Sequence, residues 1–351
     1  MKNIVRKPTI PLILAESFLS AISLSAQGPS SDNPPPQSTP TLRVTTNVVN
    51  VYAVVRDKQK RLIPSLKRED FVLEEDGQPQ EIRYFSKETD TPLSLAVLID
   101  TSPSQERTLH IEQENAKSFV REVVRPKDLA MIVHFDLEAE TVHHLTADHG
   151  LLEGAIDELV ISGYGRGESS AHFPMPGPFP APLPGPFPSP TWNLGYTHLL
   201  DAVYLASKEL GGEIGRKAIL LIGDGVDIGS KVDVTTALEA AHKADAIIYC
   251  LTVLDDKLHT DFCRKRREYY HGLSLLRKLS DDTGGRVISV RRARDTAKSF
   301  QEIAEELRTQ YFLGYSPSNP LRDGSFRQIR IQVRDRTCQV QARRGYYSVA
   351  E

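Results

Sequence analysis

Leu93-Ser-Leu-Ala-Val-Leu-Ile99-Asp100-Thr-Ser102-Pro-Ser104 decides how the rest of the chain is read. Leu93 to Ile99 is a short, nearly continuous apolar run without alternation, the pattern of a strand buried on both faces of a parallel sheet. An acidic residue and two hydroxyls follow where that strand ends. Ligands of open α/β sheets bind at the carboxyl ends of strands, where the strand order reverses. The residue types here are hard oxygen donors, which suit a hard divalent cation.

Outward from this run, strand-like and helix-like segments alternate. A helical stretch to about Val124 carries Phe119, Val120, Val123 and Val124 on one face. Leu129 to Phe135 reads as a second buried strand, with Thr141 to Leu145 as its hairpin partner at the sheet edge. Helices are expected over about Asp148–Leu159, Leu199–Leu210, Val232–Ala244, Gly272–Asp282 and Asp295–Thr309. Strands are expected at Lys217–Ile222, Ala246–Val253 and Arg286–Val290. Such alternation predicts an α/β fold, a doubly wound and mostly parallel six-stranded sheet with right-handed crossovers. Thr283-Gly-Gly285 reads as a helix stop with a left-handed glycine.

Two further segments bring oxygen donors to the same end of that sheet. Thr197 opens a helix in Gly195-Tyr-Thr197-His-Leu-Leu-Asp201, and Asp224 follows a buried strand in Gly223-Asp224-Gly225. Two carboxylates brought within about 5 Å repel by roughly 3 kcal/mol at an effective dielectric near 20, and a bound dication reverses that sign. Asp227 is close enough to join them, but a short acid in a loop more often binds backbone amides.

Asp-x-Ser-x-Ser, a Gly-x-Thr before a helix and a strand ending in Asp-Gly together resemble the metal-ion-dependent adhesion site of von Willebrand factor A domains. The resemblance covers about residues 92–310. Asp70-Phe with Asp76-Gly77, Thr283-Gly-Gly285, Tyr311-Phe-Leu-Gly-Tyr315 and Arg343-Arg-Gly-Tyr346 are similar to segments of the bacterial VWFA-related proteins abundant in acidobacteria. The resemblance implies a Rossmann-like fold and a metal held by Asp100, Ser102, Ser104, Thr197 and Asp224. It implies direct coordination by the Ser102 and Ser104 hydroxyls, with the other three binding directly or through water. Mg2+ is the expected cofactor, with Mn2+ or Ca2+ as alternatives, and its open position takes a Glu or Asp carboxylate from a protein partner. One residue departs from the family's usual small residue between the serines. Pro103 fixes φ, removes an amide and pushes Ser102 toward an extended backbone, which bears on loop geometry and so on affinity.

The flanks read as β structure. Val44–Val55, Phe71–Gln78 through an Asp76-Gly77 hairpin turn, and Glu81–Phe85 form an N-terminal module over residues 41–90. Tyr311–Tyr315, Phe326–Val333 and Cys338–Tyr346 read as strands within 311–351. Pairing between the two ends removes their exposed edges and predicts one β-domain beside the α/β domain. Residues 1–26, with Lys2, Arg6 and Lys7 before an apolar stretch ending in small residues, have the layout of a signal peptide; residues 27–40 form a linker. A secreted, periplasmic or cell-envelope location is expected. Prolines alternate through about 172–190, an extended insertion that solvates or docks a Pro-binding groove.

Composition narrows the partners. The 351 residues carry a net charge of -3, too small to imply a nucleic-acid or membrane-surface partner. No segment after the leader is long and apolar enough to be an integral span. Cys250, Cys263 and Cys338 have no metal spacing. His143 and His144, as neighbours on a strand, point to opposite faces and cannot share an ion. Arg264 to Arg267 is a basic patch on a loop or helix start. No phosphate loop and no Gly-x-Ser-x-Gly elbow is present. The expected function is a non-enzymatic, protein-binding module. The alternatives are a metal-dependent hydrolase using the same site and a metal-free structural scaffold.

Overall fold

Leu93–Asp100 (β5) is buried along its whole length, as its unbroken apolar run requires. Alternate residues serve two cores. Leu95, Val97 and Ile99 pack with one set of helices, while Ala96 and Leu98 pack with the other. The computed structural model describes residues 48–88, 90–161, 197–253, 263–292 and 295–350. The expected leader, the linker and the Pro-rich insertion lie outside the described residues.

The central sheet adds Leu129–Phe135 (β6), Ala139–Thr146 (β7), Arg216–Ile222 (β8), Ala246–Val253 (β9) and Val287–Val290 (β10) to β5. Its order is β10-β9-β8-β5-β6-β7. Every neighbouring pair is parallel except β6 with β7. Counted within this sheet, the order is the doubly wound 3-2-1-4-5-6, and it reverses between β5 and β8. Leu109–Val123 (α1), His149–Asp157 (α2) and Thr296–Arg308 (α6) cover one face. Leu199–Leu210 (α3), Val234–Lys243 (α4) and Cys263–Thr283 (α5) cover the other. The last of these starts nine residues before the Gly272 expected to open it, so Arg264 to Arg267 lie in its first turns. Gly284 follows with φ +88°, the left-handed stop expected there.

Two four-stranded sheets join the chain's ends. Val49–Arg56 (β1) runs between Gln310–Tyr315 (β11) and Gln339–Ala342 (β13), and Ile82–Glu88 (β4) pairs with the other edge of β11. Phe71–Glu75 (β2) lies between Phe326–Val333 (β12) and Gln78–Gln80 (β3), with Gly345–Tyr347 (β14) beyond β12. The sheets share a core in which the Tyr311 ring meets Phe71 and Phe85 with centroids 5.1 and 5.9 Å away. The Tyr311 hydroxyl donates to Ile63 O at 2.6 Å and accepts from Leu66 N at 2.9 Å.

Two strand expectations are corrected. Asp76 and Gly77, at φ 49° and 78°, make the expected hairpin turn, but the returning strand is Gln78–Gln80, opposite β2. Pro79 confines that strand to an edge, and β4 crosses to the other sheet, where Ile82 reaches the core. The expected strand Cys338–Tyr346 is split at Arg343-Arg344 into β13 and β14. At the break the two arginines turn toward the α/β layers. Arg343 pairs with Asp245, Arg344 Nη1 meets Asp282 Oδ1 at 3.0 Å, and Arg344 N donates to Asp282 O at 3.0 Å.

His242 on α4 packs edge-on against Phe326 and Tyr347, at centroid distances of 5.5 and 6.3 Å. Burial, with Arg343 nearby, pulls its imidazole down to about 4. An unfolded histidine takes up its proton near pH 6.5. The unfolded state therefore binds more protons between those values, and stability present above pH 6.5 is lost as pH falls toward 4, by up to about 3 kcal/mol. Denaturant unfolding across this range should show that loss, and His242→Leu should flatten it. Removal of residues 311–351, which hold the partners of β1 and β2, should lower and broaden the melt. An unchanged melting profile would contradict the pairing.

Candidate metal centre

Asp100 ends β5 and Asp224 stands two residues past the end of β8, on either side of the point where strand order reverses. Asp100 is fully buried. Ser102 N donates to its Oδ1 at 2.9 Å, and the Ser102 and Ser104 hydroxyls share a hydrogen bond of 2.9 Å. Ser104 is exposed, so a buried acidic floor opens to solvent at that hydroxyl. Burial, and then the charge of Asp224, push the Asp100 carboxyl well above the usual carboxylate range. Asp224 is half-buried, and its Oδ1 accepts from Val226 N at 3.0 Å.

Pro103 fits this loop. Ser102 is extended at φ -66° and ψ 159°, and Pro103 opens a short 3-10 turn through Gln105. The first position of a helical turn has no use for its amide, so the proline removes no bond. Gln105 N still closes the turn on Ser102 O at 2.9 Å.

The packing of the loop that carries Asp224 depends on glycines. A Cβ on Gly223 would stand 2.8 Å from Asp100 Cβ and 2.9 Å from its Oδ2. Gly225, at φ +82°, lies against Gly272 of α5, where an added Cβ would meet Gly272 O at 2.5 Å. That contact presses the Asp224 loop onto the helix.

Thr197 is held beside the loop after β8 by backbone bonds. Its N–H donates to Ile228 O at 3.0 Å and its carbonyl accepts from Ile228 N at 2.9 Å, tying it to the Asp224 loop. Next to it, His198 N donates to Asp136 O at 2.8 Å. Asp136 Oδ2 accepts from the Thr101 hydroxyl at 2.7 Å, which links this segment back to the residue after Asp100. Asp227 accepts from Leu200 N at 3.0 Å and from the Ser230 hydroxyl at 2.6 Å, the backbone role expected of it.

Three side chains here were not foreseen. The Gln105 amide reaches Ser104 Oγ at 3.1 Å and Asp100 Oδ2 at 3.5 Å. Thr108 Oγ1 donates to Gln105 Oε1 at 3.0 Å. Glu112 is buried on the apolar face of α1 with Leu109, Ala116, Phe119, Val120 and Val123. A charged residue inside an apolar helical stripe was the signal available in the sequence.

The residues fit a hard dication, since all the donors are oxygens and two are carboxylates whose repulsion a cation relieves. Among the described residues, no three His, Cys, Asp or Glu side chains gather tightly enough to hold a metal by themselves. The proposed set differs from such a cluster because three of its five members are hydroxyls. Among the described residues, no helix is long and apolar enough to cross a membrane.

The chain has the strand order and two-sided helical cover of a von Willebrand factor A-like fold. No protein-family model and no curated protein matches it. Solved structures similar to it include a von Willebrand factor type A protein from Catenulispora acidiphila, 13% identical over 80% of this chain and 74% of that one, with a TM-score of 0.45. BatB from Bacteroides thetaiotaomicron is 17% identical over 61% and 98% of the two chains, at a TM-score of 0.42. Proximal thread matrix protein 1 from the mussel byssus, solved with a zinc-occupied MIDAS motif, is 16% identical over 66% and 50%, at 0.45. The chain therefore spans half the length of the mussel protein.

The Gly223 contact gives a direct check on the packing of the floor. Gly223→Ala should cost about 1–3 kcal/mol in chemical unfolding, because the added methyl meets the Asp100 side chain. Gly154→Ala, in α2 with nothing within 4 Å of its new Cβ, should be neutral or stabilising.

Proposed function

We propose that the chain is a protein-binding module that docks acidic partner residues through a divalent cation, Mg2+ first, held by Asp100, Ser102, Ser104, Thr197 and Asp224. The observation that carries this reading is the buried Asp100 carboxylate set against Asp224 beneath an exposed Ser104 hydroxyl. Two acids at a switch point raise each other's energy unless a cation lies between them. The cation supplies Lewis acidity toward one more oxygen ligand. With two carboxylates and three neutral hydroxyls around it, it keeps positive character for a partner's Glu or Asp.

The chain's own residues do the positioning. Ser102 and Ser104 are aimed by the extended backbone and the turn that Pro103 opens. Thr197 is aimed by its bridge to Ile228. A hydroxyl, an imidazole and a carboxylate do come together at Thr101, His134 and Asp136. Thr101 is fully buried and already donates to Asp136, which favours a brace over a nucleophile and binding over hydrolysis. The signal-like leader supports a secreted, periplasmic or envelope location.

Metal at a hundredfold excess over its dissociation constant stabilises a folded protein by about 2.7 kcal/mol. Wild-type protein should gain melting temperature in millimolar Mg2+ or Mn2+, and Asp100→Ala should not. A partner captured from envelope extract in Mg2+ should be released by EDTA and should fail to bind Asp100→Ala. Capture that survives both treatments would sink the proposal.

A further inference from the structure

Glu112, in the first turn of α1, is 1% exposed, and its Oε2 meets no hydrogen-bond partner among the described residues. A buried carboxylate left this way carries a desolvation penalty of several kcal/mol if it is ionised. Burial is the main influence on it, the Thr108 hydroxyl opposes that, and the Asp224 charge adds to it, so that its carboxyl is pushed up to about 7. Asp100 in turn feels the charge of Glu112. The three acids therefore form one electrostatic group.

Polar contacts lead from Glu112 toward the proposed ligands. Thr108, whose carbonyl accepts from Glu112 N at 3.0 Å, donates through its hydroxyl to Gln105 Oε1 at 3.0 Å. The Gln105 amide extends to Ser104 Oγ at 3.1 Å and Asp100 Oδ2 at 3.5 Å. An apolar residue on the same helical face would complete the stripe of Leu109, Ala116 and Phe119 at no electrostatic cost. A carboxylate at this position costs stability unless positive charge arrives on its open side.

We propose that Glu112 is a further positioning residue of the metal centre, accepting a hydrogen bond from water carried by the cation and adding a third negative charge behind Asp100. The role is indirect because Asp100, Glu112 and Asp224 are not gathered tightly enough to ligate one ion together. Carboxylates that orient a metal's ligands or waters from behind are worth roughly 10–100-fold in metal affinity. The ligand class is a hard, water-carrying dication such as Mg2+ or Mn2+. The inference rests on the metal-site reading above.

Glu112→Gln keeps the shape of the side chain and removes the charge. Two measurements should move in opposite directions. Metal-free Glu112→Gln should melt above metal-free wild type, because like charges are no longer forced together. Its Mn2+ affinity by calorimetric titration should fall roughly 10–100-fold. A core acid with a purely structural role predicts a lower metal-free melting temperature and unchanged Mn2+ affinity, and that result overturns the proposal. If wild type takes up no Mn2+, the metal reading itself falls and Glu112 with it. If wild type binds Mn2+, Asp100→Ala does not, and Glu112→Gln matches wild type, only the role of Glu112 is lost. Should Glu112→Gln not fold, Glu112→Asp keeps the charge but withdraws it by one methylene. It should bind Mn2+ more weakly than wild type, and wild-type affinity in that variant is the overturning result.

Discussion

The carboxyl end of the central sheet is organised around the burial of Asp100 against Gly223, in the loop that carries Asp224. The two acids belong to the adjacent parallel strands β5 and β8, at the one place where the sheet reverses its winding. Helices leave the sheet there on opposite faces, which opens a crevice at the strand ends. Burial alone would make a carboxylate there costly, and a second one raises the cost. The fold keeps both, on loops packed closely through glycines. Gly223 permits Asp100 to lie against the backbone, and Gly225 with Gly272 pins the following turn to α5. The floor is thus a buried acid held by close backbone packing, an arrangement that suits the proposed dication.

The rigidity comes from side chains that are not themselves ligands. Asp227 and Asp201 take backbone amides across the gap between the start of α3 and the loop after β8, at Leu200, Lys231 and Val232. These bonds hold Thr197 in register with Ile228 and satisfy amides that a helix start leaves open. The Thr101–Asp136 bond and the His198–Asp136 bond close the circuit on the β6 side. The geometry of these loops is therefore shared over several bonds.

The α/β fold was legible in the sequence because buried parallel strands leave unbroken apolar runs. The run Leu93 to Ile99 feeds two cores on alternate residues, and only a strand covered on both faces needs that. Asp100, Ser102 and Ser104 were legible because they sit within one turn of the end of that strand, and Asp224 because Gly-Asp-Gly closes another. The β-sheets were harder to read. A hairpin turn at Asp76-Gly77 fixes its own closure but says nothing about when the next segment will leave for another sheet, as β4 does. The break at Arg343-Arg344 depends on partners about a hundred and about sixty residues away, at Asp245 and Asp282, which periodicity within the segment cannot register. Glu112 was missed for the opposite reason. Its position on α1 is the one an apolar residue takes, and only the packed site shows which charges lie behind it.

The two ends of the central sheet carry different duties. At the amino ends, Asp128 Oδ1 accepts from Leu93 N at 2.9 Å, and Arg216, the first residue of β8, reaches Thr91 O and Leu307 O. The β-sheets attach at that same end, through Arg343 to Asp245 before β9 and through Gln341 to the Gly284 carbonyl before β10. These polar bonds tie the β-sheets to the α/β layers at the amino ends of the strands. At the carboxyl ends Asp100 is fully buried, a Glu112 oxygen has no hydrogen-bond partner among the described residues, and the Ser104 hydroxyl is exposed. On the proposed reading, a partner approaching from that side would not have to displace the β-sheets. The bonds that attach the β-sheets and the proposed metal centre therefore lie at opposite ends of the strands, so the burial of Asp100 at one end is set apart from the contacts that join the layers at the other.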